Sequence, residues 1–429
     1  MDPARPRLPG PLLVLLAAFV LQLPLALMPG YFSHDELEWG WRAGTMDFVP
    51  WIDDRSTFQH RPLTFNLWLA LSRAFFDTPR AFHSVLVLWG SANAALLCAV
   101  GRRFGMSPWM AACGAVAFVL TPYAAYTHGW VATIADLVWV SSALGLAWCV
   151  LRIGRPWAIA VVAFGFALLG ILGKEAAAAI PWLCGVAFLL DDARRKRWLA
   201  ATIGSGLAIA GFLAWRLPAL LHAPRDGGSM YVPSLLNVPV RWFEYQVFPP
   251  LTMLFEAQTT LHRGELKVVV AAVLWAALVF ALWQARRRLA LGFLIGGAAA
   301  LAPVLVLGLA WNHYAYGFAA VATMCVAAAW PRATRLGRGA ITVFAMFTAL
   351  HAGLVMFAMR EVARVQSVFT PALAATLAAH PGDLRLRVAP NARPWMFLRL
   401  AHGNRVSIVE GAAPADFEIQ ADGSLRPLR

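Results

Sequence analysis

The side chains best able to do chemistry in this 429-residue chain are concentrated in one stretch, residues 31–61. Asp35, Glu36, Glu38, Asp47, Asp53 and Asp54 all fall there, and Arg61 closes the run, so the segment gathers more carboxylates than any other part of the sequence. Long apolar segments surround it. Ionisable groups held against lipid are expensive, so a dense acidic loop at a membrane edge points to a site that handles a polar substrate at the water interface. Further along, Asp136 opens an apolar run, where a lone charge is costly enough to demand a partner, structural or functional. Lys174 and Glu175 stand together at the end of another such run. They read as part of a site, with an ion pair that anchors a helix end by snorkelling as the alternative.

Several residues have plain structural readings. Asp53-Asp54-Arg55 suits a turn as well as a ligand site. His83 and His128 are separated by a helix and do not define a metal site. Gly173-Lys174-Glu175 has no glycine-rich phosphate cradle before it, so no nucleotide-binding loop is visible. Cys98, Cys113, Cys149, Cys184 and Cys325 all lie inside apolar runs without metal-ligand spacing, and read as small core residues.

The elements that must position these groups follow from composition. Hydrophobic residues make up 60% of the chain and charged residues 14%, and the mean hydropathy is +0.63. This is a polytopic membrane protein. The net charge of +14 comes from Lys and Arg clustered in short loops between apolar runs, which is the positive-inside pattern and not a nucleic-acid footprint. At about 20 apolar residues per span, the sequence predicts eleven transmembrane helices. They lie near residues 11–28, 81–100, 108–126, 134–151, 157–173, 176–190, 198–217, 268–284, 289–310, 317–330 and 340–359. The N-terminal run is long and lacks a small-x-small cleavage site, so it reads as the first span rather than a signal peptide.

Orientation has its own check. The loops that this count places inside carry Arg102-Arg103, Arg152 to Arg155, Arg194-Arg195-Lys196-Arg197, Arg286-Arg287-Arg288 and Arg332 to Arg338, and every one is basic. The acidic loop, a second outer loop over residues 218–267 and the tail beyond Arg360 then share the outer face. The first outer loop, residues 30–80, ends in an amphipathic run over residues 63–71 suited to an interfacial helix. In the second, Arg241 to Tyr245 and Phe248-Pro249-Pro250 suit a re-entrant or gating segment, or an ordinary interfacial loop. The division is a membrane domain over residues 1–359 and a small extramembrane α/β domain over residues 360–429. The latter starts with a helix over 361–379 and continues with strands near 384–388, 406–410 and 417–420.

These signals resemble those of the GT-C glycosyltransferases, integral membrane enzymes that take sugar from a polyprenyl-phosphate donor. The resemblance spans most of the membrane region. Asp35-Glu36 after the first span looks like their acidic motif, and the order of signals is closest to the protein O-mannosyltransferase and TMTC-type branch. Further similarity lies in Arg61-Pro62-Leu63, Phe82-His83 with Asn93, Pro122 followed by His128, Trp130 and Asp136, and Gly173-Lys174-Glu175. Asn312-His313-Tyr314-Ala315-Tyr316 falls where the TMTC branch carries Arg-Tyr-x-Tyr, with His313 in place of the arginine. No tetratricopeptide repeats follow the membrane part as they do in that branch.

The resemblance implies an inverting sugar transfer to an acceptor hydroxyl, with Asp35 as general base and Glu36 orienting the acceptor. A phosphate leaving group departs as an anion and needs positive charge, for which Arg61, Lys174 and His313 are the candidates. Asp53, Asp54, His128, Asp136, Glu175, Tyr314 and Tyr316 are then expected around the sugar or acceptor. The expected partners are a polyprenyl-phosphate sugar, membrane lipids and a lipid, glycan or protein acceptor, with no nucleic acid. No cofactor is assigned, and a divalent metal is the candidate to test for. The implied location is a bacterial-type inner membrane, with the N-terminus cytoplasmic and the C-terminal domain periplasmic. The rival classes are a lipid-linked sugar flippase, for which mid-membrane charge and inverted repeats are expected, and a non-catalytic membrane scaffold.

Overall fold

The structure is a computed structural model, and it describes residues 10–51, 59–221, 233–261, 265–380, 382–398, 406–409, 411 and 413–428. The chain opens with α1 (Gly10–Leu21), α2 (Leu23–Ala26), α3 (His34–Thr45) and α4 (Pro62–Phe75), followed by α5 (Pro79–Arg103), α6 (Pro108–Val119) and α7 (Pro122–Gly129). Next come α8 (Ile134–Arg152), α9 (Pro156–Gly173), α10 (Ala179–Leu190), α11 (Arg195–Leu221) and α12 (Asn237–Val247). The last part holds α13 (Leu266–Ala285), α14 (Arg287–Leu291), α15 (Gly297–Leu305), α16 (Tyr316–Ala329), α17 (Arg335–Ala379) and the short α18 (Trp395–Leu398). Helices α4, α5, α6, α7 and α9 all start with proline. A first-turn proline gives up an N–H that had no intrahelical partner and brings a helical φ ready-made.

Among the described residues eight helices are long and apolar enough to cross a membrane, or nine if a bent pair counts as one span. The bent pair is α6 and α7, whose axes differ by 60°. The sequence expectation of a single helix over 108–126 misses this break. Thr121 is extended, with φ −93° and ψ 149°, its hydroxyl accepts from the Ala124 amide, and Pro122 opens the new helix. The remaining two expected spans are the shorter apolar helices Gly10–Leu21 and Glu175–Leu190.

The two ends of the bundle differ in chemistry. At one end the basic loops tie to each other: Arg288 donates to Asp192 at 2.5 Å and to the Leu190 carbonyl, and Arg194 reaches the Arg103 carbonyl. At the other end lie the acidic turn before α3, the loop after α12 and the tail. Phe32 packs on Phe255, Phe255 on Trp395, and the tail's Phe369, Phe397, Leu384 and Ile419 share one buried cluster with Leu25, Phe32 and Tyr126. The tail and the acidic turn are therefore brought to the same end.

The tail does not begin with a helix of its own. Helix α17 runs unbroken for 45 residues from the basic end through the expected span and on to Ala379. It carries a four-stranded sheet of order β2-β1-β3-β4, with β1 Leu384–Val388, β2 Val406–Val409, β3 Phe417–Ile419 and β4 Leu425–Pro427. Strand β1 is parallel to β2 and β3, and β3 is antiparallel to β4. Leu384 and Leu386 point into the core while Arg385 between them is exposed, the period of two expected of a half-covered strand.

Candidate active site

Two neighbouring carboxylates in the acidic turn have opposite surroundings. Glu36 is buried, and both its oxygens are taken: one accepts from the Phe32 and Ser33 amides at 2.9 and 2.5 Å, the other from the Val131 amide at 3.1 Å. This closes a capping box at the start of α3 and clamps that helix to the turn after α7. Burial pushes the Glu36 carboxyl up to about 8, against the pull of the three N–H donors, and the nearby Asp35 adds to the rise. Asp35 is only partly buried, in the first turn of α3, where the positive end of the helix dipole favours an anion. The Ser33 hydroxyl donates to it at 3.3 Å. The Ser33 oxygen in turn accepts from the Trp130 indole at 3.0 Å.

The cations stand at the ends of α9 and α4. Lys174 and Asp136 form a buried pair at 2.6 Å, with Lys174 only 4% exposed and Asp136 fully covered. The Trp139 indole donates to the second Asp136 oxygen at 3.3 Å, and the ammonium lies 5.0 Å from the centre of the Tyr314 ring. Arg61 binds Glu175 through two nitrogens, each 2.7 Å from the same oxygen, and this pair is partly exposed. Arg61 is also close enough to act electrostatically on both Lys174 and Asp136. Helix α4, which covers the expected interfacial run, is fastened here by the Thr64 hydroxyl donating to the Gly173 carbonyl at 2.8 Å.

His313 joins the two halves. Its ring packs against Trp130 at 5.3 Å, Tyr126 at 6.3 Å and Tyr314 at 4.4 Å. A chain of direct contacts thus runs from Asp35 through Ser33, Trp130, His313 and Tyr314 to Lys174. Asn312 pins this turn to the second outer loop, accepting from the Ala257 amide at 2.6 Å and donating to the Phe255 carbonyl at 2.8 Å.

The other expected residues are placed differently. His128 is fully buried, with one ring nitrogen 2.5 Å from the Gln22 side-chain oxygen and the other 2.8 Å from the Tyr316 hydroxyl. Tyr316 also accepts from Asn93 at 3.4 Å, so both residues belong to a polar network inside the helix bundle and not to the rim where Asp35 stands. His83 is likewise buried, against the Gly30 carbonyl at 3.0 Å. Asp53 and Asp54 lie outside the described residues. Among the described residues no group of three or more His, Cys, Asp or Glu side chains is placed to hold a metal ion.

Two groups at this end were missed as site candidates. Glu256 accepts from the Tyr126 hydroxyl at 3.2 Å and from Gln258 at 2.7 Å, so it stands beside the Tyr126–His313–Trp130 aromatic group. A carboxylate between aromatic residues in an outer loop was the available signal. On α12, Arg241 and Glu244 form a buried ion pair, next to Tyr245, whose hydroxyl donates to the Trp311 carbonyl at 3.2 Å.

No family model matches the sequence, and no curated protein matches it. Among solved structures, the chain is similar to ArnT from Cupriavidus metallidurans bound to undecaprenyl phosphate, with a TM-score of 0.54 at 14% identity, over 94% of this chain and 86% of that one. The fold is of the GT-C type. An oligosaccharyltransferase from Archaeoglobus fulgidus, tethered to an acceptor peptide containing the NVT sequon, aligns with a TM-score of 0.48 at 13% identity, over 95% of this chain and 64% of that one.

Proposed function

We propose that this protein is a membrane glycosyltransferase that moves a sugar from a polyprenyl-phosphate donor to an acceptor hydroxyl on the face where the acidic turn lies, which we take to be the periplasmic face of an inner membrane. The observation that carries this reading is the division of labour between Asp35 and Glu36. Glu36 has both oxygens committed to backbone donors and serves as the clamp, whereas Asp35 keeps a partly exposed carboxylate, linked to the Lys174–Asp136 pair through Ser33, Trp130, His313 and Tyr314. A general base needs a carboxylate that is held in place yet open to the acceptor.

The reaction follows from these positions. Asp35 accepts the proton of the acceptor hydroxyl as its oxygen attacks the anomeric carbon, and the bond to the phosphate oxygen breaks on the opposite side, giving inversion. The phosphate leaves as a dianion and needs no acid, only positive charge. Arg61 is the partly exposed cation and the first to meet the phosphate, exchanging part of its contact with Glu175. Lys174, paired with Asp136 and under the Tyr314 ring, and His313 add further positive charge and hydrogen-bond donors. Glu175, bound to Arg61, and Glu256, bound to Tyr126, are the further carboxylates we assign to the sugar or the acceptor.

The test is transfer from undecaprenyl-phosphate sugars by the purified protein. Asp35→Asn keeps shape and the Ser33 contact but removes the basic oxygen, so transfer falls by about two to four orders of magnitude while donor binding persists. A flippase or a scaffold has no need of a proton acceptor at this atom. Wild-type transfer by Asp35→Asn, or no transfer by the wild-type protein from any such donor, would overturn the assignment.

A further inference from the structure

A cleft of about 700 Å³ runs between α6, α16 and the first half of α17, away from the ionic site. Its lining is almost wholly apolar, with Gly114, Ala322 and Ala345 leaving the width and Phe293, Phe318 and Phe344 forming the walls. Trp109 and Met346 on its rim are 72% and 66% exposed, so the cleft faces the surroundings of the bundle and not its interior. It follows α6 from Trp109 to Val119, about 15 Å of helix rise, and ends past the bend at Thr121. One leaflet of a bilayer core about 30 Å thick is of similar depth.

The two ends of the cleft are unlike. Its far end is closed by Tyr123, Gln246 and Pro249, under the buried Tyr245 and Phe248. The near end lies between Trp109 and Trp330 at the basic end of the bundle, beside the exposed Arg332, Arg335 and Arg338. Arg338 donates to the Trp330 and Pro331 carbonyls at 3.2 and 3.3 Å and stacks on the Trp330 ring, which holds this mouth in shape. Among the described residues neither Arg332 nor Arg335 makes an ion pair.

We propose that this cleft is a binding site for an anionic glycerophospholipid of the leaflet at the basic end, with one acyl chain in the groove and its phosphate on Arg332 and Arg335. The apolar length fits a chain standing along the bilayer normal, tryptophans flank the depth where head groups begin, and paired arginines supply charge for the phosphate. A polyprenyl-phosphate donor seated here would have its phosphate at the opposite end from Asp35. The site is therefore distinct from the donor site of the proposed reaction, and its failure would leave that reaction untouched.

Native mass spectrometry of the full-length protein, titrated with phosphatidylglycerol and with phosphatidylethanolamine of the same chains, tests it. The wild-type protein should bind one phosphatidylglycerol in preference to phosphatidylethanolamine. Arg332→Ala/Arg335→Ala should weaken phosphatidylglycerol binding by about 30-fold, about fivefold per arginine, and weaken phosphatidylethanolamine less, because its ammonium already offsets the phosphate charge. Ala322→Phe, which fills the groove, should lose both lipids. Ala345→Trp fills it from the exposed side and serves where Ala322→Phe does not fold. Gln246→Leu, at the closed end, should bind as the wild type does. Equal binding of the two lipids, wild-type affinity in the arginine variant or in the groove-filled variants, or loss of lipid on Gln246→Leu instead would overturn the proposal.

Discussion

Lys174 is bound to Asp136 inside the protein, so a single Lys174→Ala change mixes two effects. It removes the cation that we propose for the donor phosphate, and it leaves the Asp136 carboxylate fully buried with the Trp139 indole at 3.3 Å as its remaining hydrogen-bond donor among the described residues. Breaking a buried pair from one side costs about 3–5 kcal/mol, because the remaining charge has lost its compensation. Replacing both partners by neutral groups of similar size is close to neutral, since the desolvation cost of the two ions disappears together with their attraction. Lys174→Met/Asp136→Asn is therefore the informative protein: the introduced amide oxygen would still accept from Trp139, and the methionine side chain fills the space of the lysine stem under Tyr314. Thermal unfolding in detergent should show the Lys174→Ala protein strongly destabilised and the double variant near wild type. Titration with undecaprenyl phosphate should then show the double variant weakened by about 1.5–3 kcal/mol, the worth of one charged hydrogen bond, or about 10- to 160-fold in affinity. Wild-type affinity in the stable double variant would refute a phosphate role for Lys174 and leave it as a helix anchor.

Other consequences follow from the same structure. Burial holds Glu36 protonated up to about pH 8, well above its value in an unfolded chain. Its contribution to stability is thus full below about pH 4.5 and is lost as the pH rises through 8; a melting-temperature profile between pH 6 and 9 should show this fall, and Glu36→Gln should flatten it. Gly90 faces the His128 ring so closely that a methyl group would overlap it. Gly90→Ala should cost about 1–3 kcal/mol of stability by overpacking, seen as a lower unfolding midpoint, and a variant as stable as wild type would show that the buried network can move. Reporter fusions at Asp77 and after Arg429 should report the same side of the membrane, opposite to one in the loop at Arg332; opposite sidedness of the first two would break the topology. Transfer assays in the presence and absence of EDTA decide whether a divalent metal assists, and full activity after chelation is the expected result.

The sequence by itself determined the membrane class, the apolar helices and the segregation of basic loops, because hydrophobic length and charge bias are local properties that lipid reads directly. The prolines that open α4 to α7 and α9 and the alternation in β1 are legible for the same reason. What only the tertiary structure decided is which of several plausible polar residues share a place. Lys174 and Asp136 are 38 positions apart, Arg61 and Glu175 are 114 apart, and no periodicity links either pair. The bend at Thr121 was hidden in a continuous apolar stretch, yet it carries Trp130 and Val131 to the acidic turn. His128 and Tyr316 carry the same kinds of polar group as His313 and Tyr314, but packing turned the first two into a closed network and the second two toward the cations. Asp35 and Glu36 are adjacent in sequence and nearly alike in chemistry. Their surroundings differ because the fold aims three backbone N–H groups, one of them from Val131, at Glu36.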